Sequence, residues 1–148
     1  MTSKLLYDPD CGFCRWCLGK VLAWDRRGAV QPVALTSEEA DRLLGEMPRD
    51  RRMASWHLVD GEGRLHSAGA GFAPLFRLLP GGSPLAGIAV KIPRAMEYGY
   101  RAVAGRRSLF GRFVTDGAKR RADRRIAART WAVQPGGLLT RCGRTGRR

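Results

Sequence analysis

Lys4-Leu5-Leu6-Tyr7-Asp8-Pro9-Asp10-Cys11-Gly12-Phe13-Cys14-Arg15-Trp16-Cys17 is the stretch on which the reading of this chain turns. Lys4 to Tyr7 is short and apolar and breaks at Asp8-Pro9-Asp10, the pattern of a strand that ends in a turn. From Gly12 the periodicity becomes helical. Phe13, Cys14, Cys17, Leu18, Val21, Leu22 and Trp24 recur at spacings of three and four until Asp25-Arg26-Arg27-Gly28 ends the run. Cys11 therefore falls at or just before a helix N-terminus, and Cys14 lies one turn further in.

Working outward, Ala29 to Leu35 reads as a second strand, and Thr36-Ser37-Glu38-Glu39 is a capping-box signature opening a helix to about Met47. Trp56 to Val59 and Arg64 to Ser67 flank the turn Asp60-Gly61-Glu62-Gly63 and read as a hairpin. Gly69 to Leu79 forms a third helix, stopped by Pro80-Gly81-Gly82. The order β-α-β-α-β-β-α is the thioredoxin topology, an α/β fold whose first strand feeds the chain directly into the first helix. Beyond it, Leu85 to Lys91, Pro93 to Ala104 and Leu109 to about Ala128 are expected to be helical. The expected organisation is a thioredoxin-like redox domain over 1–82, an Arg-rich helical extension over 83–128 packed on or beside it, and a disordered basic tail over 129–148.

Size and charge agree with that division. At 148 residues, 44% of them apolar, the chain suffices for one compact domain with appendages. The net charge of +14 is unevenly spread: residues 1–100 hold 13 Lys/Arg against 11 Asp/Glu, while residues 101–148 hold 14 against Asp116 and Asp123 alone. A nearly neutral domain thus carries a strongly basic C-terminal part. No segment approaches the roughly 20 apolar residues of a membrane span, and Leu5-Leu6-Tyr7 runs into Asp8 with no secretory pattern. The expected location is the cytoplasm. Three of the four cysteines cluster as Cys11-x-x-Cys14-x-x-Cys17, which in a reducing compartment points to catalysis or metal rather than a structural staple.

A thiol attacks a disulfide only as thiolate. The unpaired N–H groups and aligned dipole of a helix N-terminus stabilise that anion, lowering a cysteine pKa from ~8.5 into roughly the 3.5–7.5 range. Cys11 is accordingly the expected nucleophile and Cys14 the resolving thiol that expels the reduced substrate from a mixed disulfide. Gly12 and Phe13 between them carry no charge. Asp8, just past the strand end, is the candidate relay for the proton that Cys14 must lose. Asp10 reads better as a helix or turn cap. The pair works with a disulfide-containing substrate and a thiol reductant, and no organic cofactor is required.

Leu6-Tyr7-Asp8-Pro9-Asp10-Cys11-Gly12-Phe13-Cys14 resembles the Asp-x-x-Cys-x-x-Cys signature of the DCC family of thiol-disulfide oxidoreductases. Trp56-His57-Leu58-Val59-Asp60, Pro74 to Pro80 and Tyr98 to Arg112 are similar to that family's pattern as well, so the resemblance covers about residues 4–113. It implies a thioredoxin-like fold and disulfide reductase activity, with the motif falling on Asp8, Cys11 and Cys14. Two positions depart from the pattern. Pro9 stands where the family usually has glycine, and the place near Ala54-Ser55 lacks the proline that thioredoxin relatives hold in cis before the third strand. A substrate-docking element is thus missing or different there.

Other readings remain open at this point. Cys11, Cys14 and Cys17 could form part of a metal clip, with Cys142, His57 or His66 as the fourth ligand. The fold could also serve as a redox-sensing module. Its basic C-terminal helices, where arginines interleave with Leu109, Phe110, Phe113, Val114 and Ile126, would then dock on an anionic membrane or on nucleic acid. Nothing reads bases, so the membrane surface is the preferred of these two. Cys17 reads as a small buried hydrophobe, Cys142 as incidental, Trp16 and Trp24 as packing or rim residues, and the two histidines as sheet residues. The chain is expected to be a monomer.

Overall fold

The computed structural model describes residues 2–131. Four strands, β1 (Ser3–Tyr7), β2 (Val30–Ala34), β3 (His57–Val59) and β4 (Leu65–Ser67), form one sheet in the order β2-β1-β3-β4. β1 runs parallel to β2 and antiparallel to β3, and β3 and β4 pair as the expected hairpin. With α1 (Gly12–Trp24) crossing from β1 to β2, this is the thioredoxin-like arrangement read from the sequence. Pro32 lies in β2, an edge strand, where the missing N–H removes no ladder bond from the sheet interior.

Successive residues of a strand point to opposite faces, so the sheet builds two cores. Leu5 joins Leu18, Leu22, Leu58, Leu75 and Ile126 on one face. Leu6 joins Val33, Leu35, Ala40, Leu44 and Val59 on the other. The second face is covered by α2 (Glu38–Leu44), which ends short of the helix expected to about Met47, and by α3 (Arg49–Ala54), a helix the sequence reading does not contain. Ser37 does cap α2, its Oγ accepting from Ala40 N–H at 3.3 Å. The helix then stops at Gly45, whose φ of +54° lies outside the helical range, and Pro48 opens a new one. The third expected helix also divides, into a 3-10 turn (Ala68–Gly71) and α4 (Phe72–Leu78).

Four further helices follow: α5 (Ser83–Lys91), α6 (Pro93–Ala104), α7 (Arg107–Phe113) and α8 (Asp116–Trp131). The single helix expected over 109–128 is broken where Val114 turns extended and Thr115 restarts the chain, its backbone and hydroxyl oxygens taking the first N–H groups of α8. α8 packs along α1 at a close crossing. A Cβ at Gly19 would stand 2.5 Å from that of Ala122, so only glycine lets the two backbones approach this far.

The helix also continues past 128, and Arg129, assigned above to a disordered tail, is ordered for a clear reason. Its guanidinium donates to Asp25 Oδ2 at 2.7 Å and to the Asp25 carbonyl at 3.0 Å. Asp25 is buried just after the last turn of α1, and its two carboxylate oxygens also accept from the N–H groups of Ala29 and Val30. Residues 132–148, including Cys142 and the rest of the expected tail, lie outside the described residues. Among the described residues no helix is long and apolar enough to cross a membrane.

Two stability predictions follow from the contacts between α1 and α8. Asp25→Ala strips two backbone donors and one guanidinium of their acceptor and should lower unfolding free energy by about 3 kcal/mol. Gly19→Val forces the helices apart and should cost about 2 kcal/mol. Denaturant titrations measure both, and wild-type midpoints would contradict this account of how α8 is held.

Candidate active site

β1 ends at Tyr7, and the chain turns through Asp8-Pro9-Asp10 with Asp8 Oδ1 accepting from Asp10 N–H at 2.9 Å. Asp8 thus closes the turn. The helix cap expected of Asp10 belongs instead to Cys11. Its backbone is extended (φ −84°, ψ 103°), its carbonyl takes the first α1 hydrogen bond from Arg15 N–H, and its Sγ accepts from Cys14 N–H at 3.1 Å. The sulfur occupies the place an Asp or Ser oxygen fills at an ordinary helix start. No acidic residue stands in the first turn of α1 itself; the nearest carboxylates are those of Asp8 and Asp10 in the preceding turn.

Cys11 and Cys14 are joined as a disulfide, their Cα atoms 5.2 Å apart, and both residues are partly exposed. Phe13, between them, stacks on Trp16 (5.9 Å between centroids) and on Phe110 of α7 (5.6 Å). The Lys119 side chain of α8 reaches Gly12, where its Cε would lie 3.6 Å from an added Cβ. Arg15 pairs with Asp123 of the same helix at 3.3 Å. The helical extension therefore forms one side of the redox loop. Sequence reasoning found only Asp8 and Asp10 as charges near this loop, because neither Lys119 nor Asp123 is close to it along the chain.

Beside the disulfide opens an apolar cavity of about 480 Å³, bounded by β1, α1, α4 and α6. Cys14, Asp8 and Cys17 contribute to its wall; Cys11 does not. The remaining lining is dominated by Trp56, Phe72, Met96, Tyr100 and Val103. Met96, Tyr100 and Val103 recur at spacings of four and three on α6, a helical face visible in the sequence but read only as part of an appendage. Ser55, at the position where a cis-proline was looked for, is extended (φ −147°, ψ 162°) and lines the same cavity beside Trp56.

Cys17, expected to be buried in the core, is half-buried and faces this cavity. Burial pushes its pKa up to about 11. Tyr7, also in the wall, has its pKa raised chiefly by burial, with Arg15 opposing and Asp123 adding to the shift. The histidines are sheet residues. His57 is buried with Nδ1 at 2.7 Å from Ser67 Oγ and Nε2 at 3.0 Å from the Arg52 carbonyl; burial is the main reason its pKa is lowered. His66 Nε2 lies 3.1 Å from Asp60 Oδ2. Hydrogen bonds, that from His66 first, hold the Asp60 carboxyl far below its ordinary range. Among the described residues no three His, Cys, Asp or Glu side chains converge as a metal site.

Residues 5–113 match the family model described as DCC1-like thiol-disulfide oxidoreductase. No curated protein and no solved structure matches the chain. The matched span runs from β1 through the redox loop and every wall of the cavity to the end of α7, with the two cores apart from Ile126, and the Cys-x-x-Cys pair within it is present as a disulfide at a helix start. On these grounds the chain belongs to the DCC1-like thiol-disulfide oxidoreductase family.

Proposed function

We propose that the protein reduces disulfides through a dithiol cycle of Cys11 and Cys14, with Asp8 moving the proton of the resolving thiol. The observation that carries this reading is the placement of Cys11 Sγ as the N-cap of α1, accepting from Cys14 N–H. In the reduced protein that N–H and the helix dipole favour a thiolate on Cys11. The thiolate attacks one sulfur of the substrate disulfide and expels the other as a thiolate, which takes a proton from solvent, leaving a mixed disulfide on Cys11. Cys14, deprotonated, then attacks Cys11 Sγ and releases the second substrate thiol. The Cys11–Cys14 bond that results is the state described above, and an external thiol reductant returns it to the dithiol. Asp8 shares the cavity wall with Cys14, which supports its part in the second step. The cycle needs no organic cofactor.

The three sulfurs divide their labour by environment. Burial pushes the Cys17 thiol up to about 11, which favours its protonated form at neutral pH and leaves exchange to the other two sulfurs in this reading.

A second reading concerns location. Among the described residues, nine of the eleven large apolar side chains left exposed lie between Leu85 and Phe113, in α5, α6 and α7. The 83–113 segment also carries six basic residues against the single acid Glu97. Leu85 and Ile88 share one face of α5, Ile92 follows at its C-terminal end, and Phe113 is 83% exposed. An apolar surface studded with cations suits the headgroup region of an anionic bilayer. We take peripheral membrane contact as a partner role for the extension, extending upstream the basic segment singled out in the sequence.

Insulin or small-disulfide reduction with a thiol regenerator should be abolished by Cys11→Ser and by Cys14→Ser. Cys14→Ser should accumulate a mixed disulfide on Cys11, visible by mass spectrometry; accumulation on Cys14 in the Cys11→Ser protein instead would reverse the roles. Asp8→Asn should slow resolution by about tenfold or more, with a changed pH profile, and an unaltered profile would remove the relay. In the reduced protein, iodoacetamide at pH 7 should label Cys11 rapidly and leave Cys17 unmodified until pH approaches 11. Sedimentation with phosphatidylserine vesicles should be strong at low salt, weak at high salt and reduced by Phe113→Glu; no salt-sensitive binding would dispose of the membrane role.

A further inference from the structure

The cavity beside Cys14 has no place in the dithiol cycle itself, yet it is too large to be a packing defect. Voids in protein interiors seldom exceed a water molecule, whereas about 480 Å³ lies in the range of small-molecule sites. Its lining is apolar apart from a few groups. Among the lining residues only Asp8 and Arg107 carry charge, and Arg107 is tied to the Met53 carbonyl at 3.3 Å.

The walls are fixed in place. Trp56 meets Phe72 edge-on at 5.3 Å, and Phe72 meets Tyr100 of α6 edge-on at 6.3 Å. The Trp56 indole lies directly over Gly71, where a Cβ would stand 2.6 Å from the ring. α6 is fastened to the 3-10 turn: Gly69 N–H donates to Glu97 Oε2 at 2.9 Å, and a Cβ at Gly69 would collide with the α6 backbone, 2.5 Å from Glu97 Cα. The hollow between α6 and the sheet is therefore preformed, and the disulfide pair is part of its rim through Cys14.

We propose that this cavity seats a bulky apolar group, aromatic or branched aliphatic, carried within a few bonds of the substrate's disulfide, so that the protein selects hydrophobic disulfides over hydrophilic ones. This rests on the oxidoreductase reading and adds to it the substrate class. A group seated there is desolvated against aromatic walls and held next to Cys14, the thiol that resolves the mixed disulfide on Cys11. A hydrophilic disulfide gains nothing from the same walls. The apolar group has two sources, a residue flanking a peptide cystine or the substituent of a small disulfide, and the chemistry that recognises them is shared.

Gly99 supplies the test. It lines the cavity from α6, and nothing lies within 4 Å of a Cβ added there, so Gly99→Phe fills the space without displacing backbone and raises helix propensity. Gly87→Leu, on α5 away from the cavity and equally unhindered, is the control. Val103→Trp is a second filling variant should Gly99→Phe fold poorly. The substrate pairs are a disulfide-linked peptide with Phe or Ser beside cysteine, and dibenzyl disulfide against bis(2-hydroxyethyl) disulfide. The uncharged fluorophore N-phenyl-1-naphthylamine reports occupancy of the oxidised protein without any turnover.

The expected result is a preference of about tenfold in kcat/KM for the apolar member, expressed mainly in KM. Preference and fluorophore binding should both be lost in Gly99→Phe and kept in Gly87→Leu. A preference confined to the peptide pair, or to the small pair, names the source and upholds the proposal. Equal turnover within both pairs, or a preference that survives both filling variants, overturns it and leaves the oxidoreductase reading standing. Absence of turnover with every substrate defeats that reading instead, and fluorophore binding sensitive to Gly99→Phe then still identifies the cavity as an apolar site.

Discussion

The buried carboxylate of Asp25 is the constraint on which the arrangement of this molecule depends. One oxygen accepts from Ala29 N–H, and the other from Val30 N–H and the Arg129 guanidinium. A single side chain thereby closes the end of α1, fixes the entry into β2 and holds the C-terminal part of α8. Buried carboxylates persist only when their lone pairs are filled, and here three donors fill them. Because α8 is anchored at that end and crosses α1 closely at Gly19, its opposite end is carried alongside the redox loop. Lys119 then lies over Gly12 and Asp123 against Arg15. A contact remote from the sulfurs thus sets the charge distribution around them.

Much of this was legible in the sequence because the informative signals are local. The strand-turn-Cys-x-x-Cys-helix passage, the hairpin about Asp60-Gly61-Glu62-Gly63 and the helix from Pro93 to Ala104 all carry period and punctuation within their own residues. The boundaries that failed lie where a periodic run continues across a break. Apolar positions from Leu109 to Ile126 keep helical spacing, yet Thr115 captures the first N–H groups of a new helix, and a local cap outweighs periodicity there. Gly45 ends α2 short of Met47, and the short α3 that opens after Pro48 was missed altogether. Asp10 has the better side chain for a cap, but the chain geometry after Asp8 delivers Cys11 to that position.

The candidate site was legible in part, and for a corresponding reason. Cys11, Cys14 and Asp8 are neighbours in sequence, so their proximity needed no tertiary information. The aromatic walls come from β3, α4 and α6, and the charges flanking the loop from α8. Only the closing of those helices over the sheet brings Trp56, Phe72 and Tyr100 within reach of Cys14. The residues proposed to perform exchange are thus encoded side by side, whereas those proposed to choose what is exchanged are assembled by the fold.

The sheet borders carry a further consequence. β2 forms one edge and contains Pro32, which lacks a backbone donor, and β4 at the opposite edge is only three residues long. Neither border is a good template for an additional strand. These blunted margins discourage extended chains, other copies of this protein included, from zipping onto the sheet as aggregates.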